Sequence, residues 1–124
     1  MNNRYIEMVV DDIGAPKHLK GYDQLISLIG HYLALQKGQS RNMMELYSKV
    51  GAEFGVTKNS VERNIRHLVD WMLRHSDIEK IDNYFGASRP NAGGICNSQF
   101  VVTLAIAAYR LERADGGTYV DNRR

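Results

Sequence analysis

The sequence predicts an all-α domain, a bundle-like arrangement of six helices that contains a helix-turn-helix at about residues 43–75. Apolar residues recur at spacings of three and four along most of the chain, which is the spacing of one helix face. No stretch alternates apolar and polar residues as a half-buried strand does, and only two prolines occur. The length of 124 residues suits a single domain with its own core.

The first four helices follow from apolar stripes and from the residues that interrupt them. The segment Gly14-Ala15-Pro16 ends the first helix, because proline cannot continue a helix. Leucine, isoleucine and tyrosine side chains between residues 25 and 35 form one stripe, which predicts the second helix. The predicted bounds are Tyr5–Asp12, a second helix that ends near Gly38, Asn42–Phe54, and Lys58–His75.

The remaining chain predicts two more helices and a tail. The segment Ser76-Asp77-Ile78-Glu79 has the pattern of a capping box, which predicts a short fifth helix that ends at Gly86. Either Asn97 or Ser98 can cap a sixth helix. From residue 115 onward no helical stripe continues. We therefore predict one helical domain over 1–114 and a flexible tail over 115–124.

Composition narrows the class of protein. Hydrophobic residues make up 44% and charged residues 24%, as in ordinary globular domains. No apolar run approaches the roughly 18 residues of a transmembrane helix, and the single cysteine, Cys96, excludes an internal disulfide. Both features predict a cytoplasmic protein with no membrane partner. The net charge of +2 and the pI of about 8.7 permit a nucleic-acid partner without requiring one.

The third and fourth helices form the predicted helix-turn-helix. A turn of about three residues that contains glycine joins them. Gly51 is expected to let the second helix cross closely over the first, and Gly55 to take the positive φ that ends a helix. Thr57 is a suitable N-cap for the second helix. Val56 and Val61 are expected to fill the angle between the helices.

The outer face of the fourth helix carries residue types that suit a DNA groove. At about 100° per residue, the residues that share an arc of roughly 100° are Asn59, Glu62, Arg63, Arg66 and Asp70. We predict that Asn59, Glu62 and Arg63 read bases, because Arg63 can donate twice to guanine and Glu62 can accept from cytosine. Lys58, Arg66 and His67 are predicted to contact the DNA backbone.

The same pattern permits other interpretations. A charged helix face is often only solvated surface, and helix-turn-helix geometry also occurs in proteins that bind no DNA. Glu62 counts against DNA binding unless a base amine donates a hydrogen bond to it, since phosphates repel a carboxylate. The alternative is a protein-interaction module that contacts RNA polymerase or another regulator.

No catalytic or metal site is predicted, and no cofactor. His67 and His75 are separated by about 12 Å along one helix, too far to share a zinc ion. Cys96 has no sequence neighbour that would make a ligand cluster or a catalytic dyad. The carboxylates of Asp11 and Asp12 stand at the end of a short helix, where capping or exposure is the simpler role. An enzyme is therefore the least favoured class.

Three separated segments resemble the C-terminal effector domain of the sporulation master response regulator family (stage 0 sporulation protein A). Residues 61–67, Val-Glu-Arg-Asn-Ile-Arg-His, resemble Val-Glu-Arg-Ala-Ile-Arg-His of its recognition helix. Residues 13–22 resemble Ile-Gly-Val-Pro-Ala-His-Ile-Lys-Gly-Tyr, and residues 97–100 resemble Asn-Ser-Glu-Phe. The segments keep their order, and the likeness spans about residues 5 to 113.

The resemblance implies a six-helix domain that binds a short promoter box in the major groove and regulates transcription. It assigns base reading to Glu62 and Arg63, and a backbone role to Arg66 and His67. Two departures stand out, because Ser60 and Gly94 replace an arginine and a lysine of the family. Their loss would weaken phosphate contacts, and Lys58 and Asn59 would compensate in part.

The family's full-length members also carry a receiver domain whose phosphorylation controls dimerisation. The present sequence shows no βα alternation and no acidic pocket of that kind. Two interpretations stay open, a domain cut from a longer protein and a stand-alone effector. In either case a single module of modest charge is expected to bind loosely and to form a weak homodimer on tandem DNA sites.

Overall fold

A computed structural model describes residues 3–36, 38–86 and 95–122, with side chains up to residue 115. Within these ranges the chain forms six α-helices and no strand, which confirms the predicted all-α fold. The helices are α1 (Asn3–Asp12), α2 (Gly21–Ala34), α3 (Met43–Phe54), α4 (Lys58–His75), α5 (Ile78–Phe85) and α6 (Asn97–Asn122).

Helix α2 lies at the centre of the domain and packs against α1, α3, α4 and α6. Its predicted apolar stripe is buried, with Leu25, Leu28 and Ile29 inaccessible to solvent. The predicted core face of α4 is buried too, through Val61, Ile65, Leu68 and Met72. Burial of these side chains on one face fixes which face of α4 points outward, because the two faces of a helix are set by its 3.6-residue period.

The turn between α3 and α4 has the geometry that its sequence predicts. Gly55 adopts a left-handed conformation with φ of 70°, and the N–H of Val56 donates to the carbonyl oxygen of Gly51 at 2.9 Å. The Thr57 hydroxyl accepts a hydrogen bond from the N–H of Ser60 and so caps α4. These local bonds end one helix and begin the next within three residues.

One detail of the helix-turn-helix differs from the prediction. Val61 is fully buried in the angle between the helices, but Val56 is 40% exposed and does not fill it. A Cβ on Gly51 would lie 2.5 Å from the carbonyl oxygen of Val56. It would also lie 3.4 Å from the nitrogen of Lys58, the first residue of α4, so Gly51 makes room both for the turn and for the start of the second helix.

The ends of α2 and the start of α5 also differ from the prediction. Helix α2 ends at Ala34, four residues before Gly38, because Leu35 takes an extended conformation while its side chain still packs on the core. Gly38 instead has φ of 92° in the turn that follows. The cap of α5 is Asp77 rather than Ser76, whose hydroxyl donates to the carbonyl oxygen of Gly14 and ties α4 to the end of α1.

Helix α6 continues to Asn122, so the expected loss of helix at residue 115 was wrong. The backbone of a helix supplies its own hydrogen bonds and can extend beyond the last residue that packs on the core. The Asp115 carboxylate also accepts a hydrogen bond from the Tyr5 hydroxyl on α1, which holds this part of α6 to the domain. The domain limit at residue 114 stays a prediction.

Acidification is expected to weaken the junction between α1 and α5. Asp12 accepts hydrogen bonds from the Tyr84 hydroxyl at 2.7 Å and from Lys80 at 3.0 Å, and these partners, Tyr84 first, lower the pKa of its carboxyl. A carboxyl whose pKa is lowered by folding stabilises the fold above its unfolded pKa, and this contribution is lost as the pH falls through the folded pKa.

The test compares wild type with Tyr84→Phe, which keeps the ring and removes the hydroxyl. Urea denaturation measures the free energy of unfolding of both proteins. Near neutral pH the wild type is expected to be the more stable. The difference in unfolding free energy between the two should shrink at about pH 2.5, which is below the usual pKa range of carboxyl groups. A difference that stays constant over this range would contradict the prediction.

Candidate nucleic-acid interface

The first turns of α4 project from the domain as the second helix of a helix-turn-helix. Lys58, Asn59, Glu62 and Arg63 are all exposed there, while the opposite side of the helix is buried. Within the described part of the chain, none of these four side chains forms an ion pair. Their polar ends are therefore available to an external partner.

Four of the six predicted site residues line one open groove. Asn59, Glu62, Arg63 and Arg66 form its α4 side. The groove has a volume of about 660 Å³ and is completed by Met43, Met44 and Tyr47 of α3 and by Cys96, Asn97 and Ser98 at the start of α6. Lys58 and His67 are exposed on α4 but lie outside the groove lining, so they flank it.

Arg66 is less free than its predicted role suggests. Its guanidinium forms an ion pair with Asp70 at 3.0 Å, one turn further along α4. Its Nε atom is buried and has no hydrogen-bond partner among the residues that the structure describes. An external acceptor that engages Arg66 would therefore compete with the Asp70 carboxylate.

The start of α6 is a part of the groove that the sequence did not reveal. Asn97 Nδ2 donates to the backbone carbonyl oxygen of Glu62 at 3.1 Å, across 35 positions of sequence. The sequence has two signals here, the resemblance of residues 97–100 to Asn-Ser-Glu-Phe and the predicted cap of α6 at either Asn97 or Ser98. The predicted cap was wrong, because both residues are already helical.

Cys96 occupies the position before α6 and performs the capping role. The N–H of Phe100 donates to the backbone carbonyl oxygen of Cys96 at 3.0 Å. Hydrogen bonds from the side chain of Ser98 and from the backbone of Gln99 lower the pKa of the Cys96 thiol. The bond from Gln99 satisfies one of the backbone N–H groups that the first turn of a helix leaves unpaired.

Trp71, on the second half of α4, contacts two exposed histidines. Trp71 itself is partly buried against the core. The ring of His18 meets its edge with centroids 5.8 Å apart, and the ring of His75 stacks on it at 4.5 Å. These contacts hold the segment before α2 against the last turns of α4.

The described ranges contain no cluster of three or more side chains suited to a metal ion. They also contain no helix that is both long and apolar enough to cross a lipid bilayer.

An all-helical domain that presents the outer face of the second motif helix has the architecture of the helix-turn-helix class. The match to a family model is more specific. The model described as "Sporulation initiation factor Spo0A C terminal" matches residues 6–107, and the chain belongs to this family. The family consists of DNA-binding effector domains of sporulation response regulators, which act in transcription. All three segments on which the resemblance rested lie inside the match.

Proposed function

We propose that this domain regulates transcription in the cytoplasm by reading a short promoter box, with the first half of α4 in the major groove. One observation carries the proposal, namely that Glu62 and Arg63 are adjacent, exposed and without ion-pair partners in the part of the chain that the structure describes. A guanidinium and a carboxylate in this position can recognise a guanine edge and a cytosine amine respectively.

The remaining residues of the interface divide by position. Asn59 shares the groove with the Glu62–Arg63 pair and has the amide that best fits an adenine edge. Lys58 and His67 flank the groove, where phosphates of a bound duplex would run. Arg66 would contact a phosphate only by breaking its ion pair with Asp70.

Selection of bound duplexes from a random pool tests the proposal directly. We expect a short box to be enriched, and the domain to bind that box more tightly than a scrambled duplex of the same composition. Fluorescence anisotropy at one fixed salt concentration gives both affinities, because salt alone changes them strongly. Equal affinity for the box and the scrambled duplex would disprove sequence-specific reading.

Lys58 is expected to contribute to DNA binding whatever the base sequence of the duplex. Lys58→Ala should weaken binding to the selected and the scrambled duplex alike, because a phosphate contact carries no base information. The slope of log affinity against log salt should fall by about one unit for the lost contact.

Lys80→Ala is the matched control for Lys58→Ala. Lys80 is an exposed lysine of α5 that pairs with Asp12, the last residue of α1. Its loss removes the same charge from a surface beyond the far end of α4, so the salt slope should not change. If the salt slope of Lys58→Ala equals that of the wild type, Lys58 does not contact a DNA phosphate.

Two copies are expected to associate on DNA and to remain apart in solution. One groove and a net charge of +2 give a single domain modest affinity, whereas two domains on adjacent boxes gain through effective concentration. Exposed Ile106 and Tyr109 on α6 offer apolar surface for a weak contact between them. Sedimentation should show a monomer without DNA and two copies on a two-box duplex, and a tight dimer without DNA would contradict this expectation.

A protein-interaction module that contacts RNA polymerase is the second candidate function. Exposed Phe54 and Val56 beside the turn favour it, because apolar side chains on a surface suit a protein partner. Reversing the charges of Lys58 and Arg63 separates the two functions. If DNA affinity is unaltered and polymerase capture is lost, the second function replaces the first.

A further inference from the structure

We propose that Asn97 is a positioning residue for base reading, which holds the Glu62 turn of α4 in place from the start of α6. The proposal rests on the function proposed above for Glu62 and Arg63. It adds a residue that would set the sequence preference without touching a base.

The contact between Asn97 and Glu62 involves the backbone of α4 and leaves the reading side chains free. Asn97 Nδ2 donates to the carbonyl oxygen of Glu62 at 3.1 Å. In an α-helix that oxygen also accepts the N–H of residue 66, so the bond adds to the helix without replacing any part of it. The Glu62 and Arg63 side chains remain exposed. Asn97 can therefore orient them while they contact DNA.

Tyr47 of α3 and Asn97 line the same groove. Tyr47 is 2% exposed, and burial raises the pKa of its phenol, while Asn97 acts in the opposite direction. The Asn97 amide oxygen is buried and has no hydrogen-bond partner among the residues that the structure describes. The bond from Asn97 Nδ2 to the Glu62 carbonyl oxygen is therefore the hydrogen bond that connects the Asn97 side chain to the helix-turn-helix.

Few other contacts could replace this connection. Helix α4 packs mainly against α3 and α2, and its contact with α6 is the smaller one. The packing of α2 and α3 involves the buried side of α4, through residues such as Val61 and Ile65. The bond from Asn97 instead lies at the groove, beside the residues that would meet the bases. Without the Asn97 bond, α6 would not support the groove side of the Glu62 turn.

Asn97→Ala, with Asn83→Ala as its matched control, tests the proposal. Asn83 is an exposed asparagine of α5 that lies outside the groove lining. We expect Asn97→Ala to reduce the ratio of selected-box to scrambled-duplex affinity about fivefold, the effect of one lost hydrogen bond. Asn83→Ala should leave this ratio unchanged.

A double-mutant cycle with Glu62→Ala distinguishes positioning from general support of the fold. If Asn97 acts through the Glu62 turn, adding Asn97→Ala to the Glu62→Ala variant should lower the ratio of selected-box to scrambled-duplex affinity by less than a further factor of two. An equal loss in both backgrounds would overturn the proposal, and so would an equal loss on both duplexes in the wild-type background.

Hydrogen exchange of the free domain keeps this test separate from the proposed function. We expect backbone amides of residues 63–67 to exchange about fivefold faster in Asn97→Ala than in Asn83→Ala, with the core of α2 unchanged. If selection enriches no box, the proposed function fails, and exchange alone decides whether Asn97 orders this turn. Unchanged protection of residues 63–67 would overturn the inference in either case.

Discussion

Replacing Arg63 with alanine is expected to weaken binding to the selected box by about 1–3 kcal/mol, or roughly 5- to 150-fold in affinity. Arg63 is exposed in the groove and forms no ion pair within the described ranges, so it is ready to donate to a base edge. Binding to a scrambled duplex should weaken much less, because only a correct base accepts both donors. Anisotropy titrations with the two duplexes measure the difference.

Arg63→Lys is the sharper control, because it keeps the charge and removes the planar pair of donors. It should retain the salt slope and the affinity for scrambled DNA but lose most of the discrimination. If Arg63→Lys discriminates as well as the wild type, Arg63 contacts phosphate and not a base. The position of Arg63 in the interface would then stand, and its base-reading role would be wrong.

Local signals explain why α3 and α4 could be predicted almost to the residue. The left-handed Gly55 and the Thr57 cap act within one turn of the chain, so the residues themselves determine where the helices end. The end of α2 illustrates the opposite case. Leu35 continues the apolar stripe and packs on the core, but its backbone is extended, and a pattern of side chains cannot distinguish the two conformations.

The groove could be predicted only on its α4 side. Helical periodicity places Asn59, Glu62 and Arg63 on one face, and all three lie there. The opposite wall comes from residues of α3 and α6, and the bond from Asn97 to Glu62 spans 35 positions. Such a contact depends on how α6 packs across the bundle. A capping signal at Asn97 describes only its own neighbours, so it could not reveal this role.

The ion pair of Arg66 was likewise missed, although its spacing was visible. Arg66 and Asp70 are four positions apart, and side chains at this spacing on a helix often pair. The prediction treated both as parts of an outer face and assigned only Arg66 a contact with DNA. A pair of this kind gives Arg66 a competing partner, so its contribution to DNA binding should be smaller than that of an unpaired arginine.

Replacing Gly51 with alanine is expected to destabilise the domain by about 1–3 kcal/mol. Its Cβ would lie 2.5 Å from the carbonyl oxygen of Val56 in the turn and 3.4 Å from the backbone nitrogen of Lys58, the first residue of α4. The turn cannot rotate away as a side chain would, so it must shift and take the start of α4 with it. Urea denaturation gives the loss of stability, and binding of the folded variant to the selected box should also weaken.

Gly30→Ala is the matched control, since it makes the same change at a helical glycine of α2. A Cβ there would have ordinary contacts, the nearest with Ile6 Cδ1 at 3.8 Å. Alanine is the better helix former by up to about 1 kcal/mol, so Gly30→Ala should be neutral or stabilising. If Gly51→Ala lowers the free energy of unfolding and Gly30→Ala does not, the loss of stability at Gly51 comes from the close approach of the turn and not from the loss of glycine itself. A Gly51→Ala domain as stable as the wild type would mean that the turn and α4 can separate freely, and the orientation of the reading helix would then depend on contacts other than this one.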